Sequence, residues 1–211
     1  MVIFAKLPIE FNAQRIVAEC HQLINGDWVS HVNQAAYLGG WDVLPMRTLK
    51  KYTSAHPLLQ SFSIEGDGRW GNCRVMDNCT NICALLAQIR APIQSVRLMR
   101  LHPHSIVLPH RDKGLSLEYG EVRLHIPITG AEAVDFLVSD QKVPMARGEV
   151  WYINADQEHQ VINQSDHPRI NLVIDCKVSP WLRKQIVESN DVGKVALCQM
   201  QLEFPAPDGR P

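Results

Sequence analysis

A histidine and an aspartate two positions apart, in Leu108-Pro109-His110-Arg111-Asp112, form a candidate metal-binding pair. Side chains at positions i and i+2 of an extended segment leave the same face. A ring nitrogen of His110 and a carboxylate oxygen of Asp112 can therefore bind one divalent metal ion. A third ligand is needed, and His159, within Asp156-Gln157-Glu158-His159-Gln160-Val161, is the best candidate.

Two histidines and one carboxylate on one side of a metal leave its other positions open, which is the ligand set of non-haem Fe(II) oxygenases. Further along, Arg169 offers a planar guanidinium that suits bidentate binding of a carboxylate. His-x-Asp alone recurs by chance, and a loop histidine capped by a nearby aspartate explains it equally well. The order His-x-Asp, a strand with Arg123 and His125, then His159 and Arg169 is far more restrictive.

These residues lie in motifs that resemble those of the Fe(II)- and 2-oxoglutarate-dependent dioxygenases. Within that class the chain looks most like the aspartyl/asparaginyl β-hydroxylase branch, which includes bacterial hydroxylases of free proline. The resemblance covers residues 96–178. Its motifs are Val-Leu-Pro-His-Arg-Asp (107–112), Val-Arg-Leu-His-Ile-Pro-Ile (122–128), Gly-Glu-Val-Trp-Tyr-Ile-Asn (148–154), His-Gln-Val-Ile-Asn (159–163) and Arg-Ile-Asn-Leu-Val-Ile-Asp (169–175).

The resemblance implies roles for individual residues. His110, Asp112 and His159 would hold Fe(II), and O₂ and 2-oxoglutarate would take its open positions. Arg169 would bind the distal carboxylate of 2-oxoglutarate, with His125 and Arg123 also reaching toward this co-substrate. The implied reaction is hydroxylation of a C–H bond coupled to oxidative decarboxylation of 2-oxoglutarate to succinate and CO₂.

Two departures from the family pattern bear on binding and substrate. Many 2-oxoglutarate enzymes carry Ser or Thr two positions after the arginine, whereas Asn171 stands there, so we expect a changed contact and retained binding. The vertebrate aspartyl/asparaginyl enzyme lacks the metal-binding carboxylate, whereas this chain keeps Asp112. The resemblance therefore favours a small amino acid or amino-acid-like substrate. Aspartyl or asparaginyl side chains of a peptide or protein are the alternative.

Such a substrate needs a cation for its carboxylate, and Arg100 is the candidate, although a surface arginine paired with an acid explains it as well. Trp41 and Tyr37 are the candidates for closing over the apolar side of the substrate, and a buried anchor beside a turn is the alternative reading of Trp41. Among the remaining histidines, we expect His31 at the surface or a helix end, and His104 at most at the rim of the site.

Composition excludes several classes of partner. The chain has 211 residues, 45% hydrophobic content and a formal net charge of −1, so it lacks the positive charge that nucleic-acid binding requires. No apolar run reaches the about 18 residues of a membrane-spanning helix, and the first residues are too short a run for a signal peptide. Six cysteines without a Cys-x-x-Cys pair fit a reducing cytoplasm. The sequence predicts a cytoplasmic protein with a small-molecule or peptide substrate and leaves its oligomeric state open.

The elements that must position these residues are mainly strands. Extended runs at 96–101, 122–129, 134–139, 149–154, 159–163 and 169–176 are separated by turn residues, a pattern typical of a sandwich or jelly roll. The family's fold is such a jelly roll, the cupin-like double-stranded β-helix. Helices are predicted from Asn12 to Gly26, over 79–90 with Pro92 as the stop, and from Ser179-Pro180 to about Glu188. Residues 28–51 are expected to be loop-like, and 66–68 to form a turn.

The chain has no visible linker, so one dioxygenase domain over 1–211 is predicted. Residues 1–95 would support a jelly-roll core over 96–178, and 179–211 would add a helix and a frayed tail. Two rival functions remain open from the residues alone. One is a cupin-type metal-binding protein that is not an oxygenase, and the other is a non-enzymatic sensor of 2-oxoglutarate. The cupin alternative gives Arg169 no purpose and therefore ranks well behind the oxygenase reading, and stoichiometric succinate production would separate the oxygenase from both rivals.

Overall fold

The computed structural model describes residues 1–61 and 68–190. The strands are β1 (Phe4–Leu7), β2 (Val29–Ser30), β3 (Tyr37–Leu38), β4 (Trp41–Leu49), β5 (Trp70–Asn72), β6 (Ile93–Leu101), β7 (Ile106–His110), β8 (Glu121–Thr129), β9 (Val134–Val138), β10 (Gln141–Lys142), β11 (Val150–Ile153), β12 (His159–Asn163) and β13 (Arg169–Lys177). The helices are α1 (Ala13–Gln22), α2 (Pro57–Gln60), α3 (Thr80–Leu86) and α4, which covers 180–190. Three short 3₁₀ segments lie at Gln34–Ala36, Lys50–Tyr52 and Arg74–Asn78.

Within the described residues the strands form two antiparallel sheets that face each other. The larger has eight strands in the order β1-β11-β8-β13-β6-β4-β2, with β5 also paired to β4. The smaller has five, in the order β10-β9-β12-β7-β3. This is the predicted jelly roll, and all six predicted strands are present within a few residues of their predicted bounds.

The large sheet is covered on both faces. On the outer face, Leu98, Leu124 and Leu172 pack with residues of the helices, including Ile16 and Ile82. On the inner face, side chains of both sheets meet in a second core. In β8 and β13 the apolar even-numbered residues belong to the outer core.

The segment 28–51, expected to be loop-like, contains the nine-residue strand β4, so that prediction is wrong. Trp41 and Val43 face the inner core, while Leu44 and Met46 face the outer one. A strand buried on both faces shows no apolar–polar alternation. Pro45, within β4, lies where the pairing with β6 shifts register, an irregularity that tolerates proline.

Two predicted helices are shorter than expected. In α1 the side chain of Asn12 caps the N-terminus as predicted, but the helix ends at Gln22 and a turn continues to Gly26. The predicted helix 79–90 is α3, which ends at Leu86 well before Pro92. Residues 88 and 89 donate to carbonyls three positions back, so the chain tightens into a turn there.

Helix α4 begins at residue 180, as predicted, and the Ser179 hydroxyl accepts from the Leu182 N–H. The predicted tail beyond Asp191 and most of the predicted 66–68 turn lie outside the described residues. No helix in the described part of the chain combines the length and hydrophobicity needed to cross a membrane.

Candidate active site

The three predicted metal ligands meet between the two sheets. His110 ends β7 and His159 begins β12, where the two residues are paired across the small sheet. Asp112 lies just beyond β7, and its backbone N–H donates to the Ala155 carbonyl at 2.8 Å. The Nε2 atoms of His110 and His159 lie 4.0 and 3.9 Å from the carboxylate oxygens of Asp112, and one donor atom from each residue lies within 4.8 Å of the others. Asp112 is thus positioned by a turn, not by the continuous extended segment that the sequence suggested.

Backbone carbonyls orient both imidazole rings toward the cluster. His110 Nδ1 lies 2.8 Å from the Leu108 carbonyl, and His159 Nδ1 lies 3.0 Å from the Gln157 carbonyl. A carbonyl can only accept, so each Nδ1 carries the proton and each Nε2 has a free lone pair. Those lone pairs are on the nitrogens that face Asp112. Burial lowers the pKa of His159 to about 4, which keeps it neutral, as a metal ligand must be.

Asp112 is held in its charged form. Burial by itself would raise its pKa, but the Arg123 guanidinium and the two histidines lower it overall. Arg123 donates through Nη1 to Asp112 Oδ2. Two imidazole nitrogens and one carboxylate, with donor atoms that converge, are a ligand set that fits Fe(II).

Arg169 enters the same cavity from the opposite sheet. It begins β13 and is 6% exposed, and its guanidinium lies 5.7 Å from the Phe136 ring centroid. Within residues 1–61 and 68–190, no acidic side chain forms an ion pair with it. Burial lowers its pKa to about 10, so it stays charged at neutral pH. A buried, unpaired cation in a cavity is a binding site for an anion.

His125 and Asn171 stand side by side between Arg169 and the metal cluster. The Asn171 amide nitrogen lies 2.8 Å from His125 Nδ1, and both residues line the cavity. Burial, then Arg123 and Arg169, lower the pKa of His125 well below its ordinary value, so the ring is neutral. If the amide donates to Nδ1, the His125 proton sits on Nε2. The residue at the usual Ser or Thr position thus orients a neighbouring histidine.

Arg123 lines the cavity, but its guanidinium already donates hydrogen bonds to two carboxylates. Besides Asp112, it donates to Asp175 through Nε at 2.7 Å and through Nη2 at 3.1 Å. These contacts raise the pKa of Arg123 against the effect of burial. Its predicted contact with 2-oxoglutarate stays a prediction, and its observed partners are the two aspartates.

The structure does not bring Arg100 to the site. Its guanidinium lies on the other face of the large sheet, 4.4 Å from the Trp28 ring centroid, and donates to Asp42 at 2.8 and 3.1 Å. The inner-face arginine of β6 is Arg97, which sequence reasoning missed. Arg97 is 9% exposed and donates to Asp175 and to Ser95, while its Nε has no partner among the described residues. Strand parity was the available signal, because Arg97, Met99 and Leu101 share one face.

Tyr37 and Trp41 do come together at the cavity. Their rings meet edge to face at 5.8 Å, and Trp41 lines the cavity with 9% of its surface exposed. Gly39, with a φ of 85°, makes the turn between the strands that carry them. His31 stacks on Trp41 with ring centroids 3.8 Å apart, so it is not the surface residue that was expected. The three rings form an aromatic wall beside the metal cluster.

Known proteins share this sequence pattern and this architecture. The family described as Aspartyl/Asparaginyl beta-hydroxylase matches residues 10–178. An L-proline cis-4-hydroxylase of Rhizobium meliloti (strain 1021) is 28% identical over 89 residues, which are 42% of this chain and 31% of that protein. The chain thus matches about a third of the length of this curated relative.

Two solved structures share the fold. A 2OG-Fe(II) oxygenase family oxidoreductase from Burkholderia pseudomallei has a TM-score of 0.55 at 16% identity, covering 82% of this chain and 85% of that one. HygX from Streptomyces hygroscopicus, solved with nickel and 2-oxoglutarate bound, has a TM-score of 0.52 at 12% identity and covers 85% and 84%. These likenesses confirm the predicted fold. With the family match over most of its length, the chain belongs to the Aspartyl/Asparaginyl beta-hydroxylase family.

Proposed function

We propose that this protein hydroxylates a C–H bond of a small amino acid or amino-acid-like carboxylate. The reaction consumes one O₂ and one 2-oxoglutarate per substrate, placing one oxygen atom in the hydroxyl group and the other in succinate, with release of CO₂. The observation that carries the proposal is the buried Arg169, which has no ion pair within residues 1–61 and 68–190 and shares a cavity with the metal ligands His110 and His159. A metal-binding cupin without a keto-acid co-substrate would give this buried cation no partner.

In this proposal His110, Asp112 and His159 hold Fe(II), which supplies the activation of O₂ when bound. Arg169 receives the distal carboxylate of 2-oxoglutarate through its planar fork. His125, kept neutral by burial, donates from Nε2 into the cavity, in the orientation given by Asn171. Apolar side chains around the cavity exclude water from the reacting atoms. They include Met99, Leu101, Val107, Phe136 and Val161.

The charged groups in and behind the cavity favour a substrate that carries a carboxylate. Three arginines (Arg97, Arg123 and Arg169) and two aspartates (Asp112 and Asp175) leave one unit of positive charge when the histidines bind as neutral ligands. Fe(II) and the 2-oxoglutarate dianion cancel each other. The substrate carboxylate can therefore pair with the remaining positive charge. Buried charge is costly unless compensated, so the site favours such a ligand.

The position of the remaining cation indicates where that carboxylate goes. Arg97 faces the inner side of the large sheet, and among the described residues its buried Nε has no acceptor. A buried donor without a partner costs about 1–3 kcal/mol, which a substrate carboxylate would recover. Arg97 therefore replaces Arg100 as the candidate cation for the substrate. Trp41 and Tyr37 remain the candidates for its apolar side.

The relative's name supports the amino-acid class, because that protein is an L-proline cis-4-hydroxylase. Aspartyl or asparaginyl side chains of a peptide remain the second candidate, and the description of the family favours it. A screen separates the two. Free amino acids and short peptides are tested with Fe(II), 2-oxoglutarate and O₂ for stimulated succinate release, and products are identified by mass.

A hydroxylated free amino acid, formed in equal amount to succinate, would support the proposal. Stimulation by peptides alone would overturn the small-molecule proposal and favour the second candidate. If 2-oxoglutarate binds without any succinate from the full panel, the non-enzymatic sensor becomes the better explanation. An anaerobic titration of the Fe(II) protein with 2-oxoglutarate measures that binding independently of turnover.

A further inference from the structure

Asp175 lies near the end of β13, on the same face as Arg169, Asn171 and Val173. Its side chain is buried, and it is directly paired with Arg123 in the neighbouring strand β8. On its other side lies β6, from which Arg97 and Ser95 reach it. Asp175 therefore lies between two arginines, Arg97 and Arg123, on the inner face of the large sheet.

The contacts of Asp175 determine how Arg123 can approach the metal ligand. Arg123 gives Nε and Nη2 to Asp175, at 2.7 and 3.1 Å, which leaves Nη1 for Asp112. A guanidinium that is free to turn binds a carboxylate through two parallel N–H groups. Asp175 accepts from both Nε and Nη2 of Arg123, so Asp112 receives a hydrogen bond from Nη1 alone.

We propose that Asp175 is a positioning residue for the metal centre, which it serves by holding Arg123 so that Asp112 is oriented and charged yet still free to bind the metal. The proposal rests on the metal site of the proposed function. Without the Asp175 carboxylate, Arg123 would turn its bidentate edge onto Asp112 and compete with the metal for it. Ser95 supports Asp175 with a hydroxyl hydrogen bond of 2.9 Å.

The test measures anaerobic binding of Co(II), a visible probe for the Fe(II) site, to the metal-free protein. Asp175→Asn keeps the shape of the side chain and removes its charge. We expect Co(II) affinity to fall on the order of 10- to 100-fold, the usual loss when a group that orients a metal ligand is changed. An unchanged or tighter affinity would overturn the proposal.

The outer face of the same sheet provides a matched control. Asp42 also pairs with an arginine of β6, Arg100, at 2.8 Å, and its side chain is 16% exposed. In the described part of the chain, its side chain contacts Arg100 and His102 and forms no hydrogen bond or ion pair with Arg123 or Asp112. Asp42→Asn should therefore leave Co(II) affinity unchanged although it, too, breaks an arginine–aspartate pair. A loss equal to that of Asp175→Asn would show a general effect on the sheet and would overturn the positioning role.

A double-mutant cycle separates positioning from general damage to the core. If the effect passes through Arg123, then Asp175→Asn should cause no further loss of Co(II) affinity in an Arg123→Met background. Additive losses would mean that Asp175 acts by another route. The absorption spectrum of bound Co(II) should also change in Asp175→Asn, because the coordination of Asp112 changes.

Ser95→Ala keeps the proposal testable if Asp175→Asn does not fold. It removes one hydrogen bond of Asp175 and no charge, so a smaller loss of Co(II) affinity is expected. Unchanged affinity in whichever of these two variants folds would overturn the positioning role. Failure of the wild-type protein to bind one Co(II) would instead overturn the metal site itself, so the two failures are distinguishable.

Discussion

Two arginine–aspartate groups lie back to back on the large sheet, and they differ in what surrounds them. Arg97 and Arg100 are three positions apart in β6, which places them on opposite faces. The inner group, Arg97, Arg123 and Asp175, is buried between the sheets beside the metal ligands. The outer group, Arg100 with Asp42, lies against Trp28 and is partly exposed.

The comparison shows that pairing chemistry alone does not identify a functional arginine. The outer pair is somewhat more exposed, with 20% and 16% of the two side chains accessible, so water screens it more than the inner group. The inner side chains are 9% to 14% exposed, so an unpaired polar atom among them is costly without a ligand or a protein partner. Arg169 is also buried on the inner face, and it has no ion pair among the described residues, so its need for a charged ligand is the greatest. The predictions below test this contrast between the inner and outer faces.

The largest expected effect follows from loss of an inner ligand. His159→Ala should abolish succinate production from 2-oxoglutarate, because it removes a donor that no neighbouring side chain replaces. Since the rest of the core is untouched, the variant should keep its far-UV circular dichroism. His104→Ala is the control, because His104 is exposed and pairs with Asp166. Wild-type turnover in His159→Ala would remove this residue from the ligand set.

Arg169→Ala should weaken 2-oxoglutarate binding by about 2–5 kcal/mol, since it leaves the co-substrate carboxylate buried without its partner. Arg169→Lys should recover only part of this loss, because an ammonium cannot reproduce the bidentate fork. The anaerobic titration with 2-oxoglutarate measures both. Arg100→Ala, on the outer face, should bind 2-oxoglutarate as the wild type does. Unchanged affinity in Arg169→Ala would place the anchor elsewhere, with Arg123 next to be tested.

The two faces should also differ in stability. Arg97→Met should lower the free energy of unfolding by about 3 kcal/mol, toward the low end for a broken buried ion pair because Arg123 still neutralises Asp175. Arg100→Met should cost less, about 1 kcal/mol, because water partly screens its pair with Asp42. Urea denaturation of the two variants measures the difference. Equal losses would contradict the contrast between the faces.

Most of the fold could be predicted from the sequence, because β8 and β13 carry one apolar face that packs under the helices and one polar face directed at the site. The same parity places Arg123, Arg169, Asn171 and Asp175 on the inner side. Strand β4 could not be recognised, since burial on both faces removes the alternation on which such a prediction depends.

The ligand set was suggested by order and family pattern, whereas the partners of each arginine required coordinates. Arg97 and Arg100 look alike in sequence, and only the position of β6 between β13 and β4 decides which of them reaches the inner cavity. The stacking of His31 on Trp41 could not be predicted from the sequence either. Its ring reaches Trp41 because β2 and β3 pair with different sheets, a long-range arrangement without a local sequence signal.

The smallest expected effect concerns His31, which stacks on Trp41 in the aromatic wall. Burial, followed by the charge of Arg97, lowers its pKa from 6.5 to about 4. The unfolded chain therefore binds a proton more readily than the folded protein between these values. The contribution of neutral His31 to stability is fully present above about pH 6.5 and is lost as the pH falls toward 4.

His31→Phe keeps an aromatic ring on Trp41 and removes the titrating group. Each pKa unit corresponds to about 1.4 kcal/mol, and partial exposure of His31 reduces the total, so the variant should lose about 1–2 kcal/mol less than the wild type between pH 7 and pH 4. Urea denaturation of metal-free protein across this range measures the difference, since bound metal would add its own pH dependence. If the free energy of unfolding falls equally in both proteins, the pKa of His31 is the same in the folded and unfolded chain. Burial would then not hold the ring neutral. If the stability of His31→Phe depends less on pH than that of the wild type, His31 is shielded from water as the inner-face residues are.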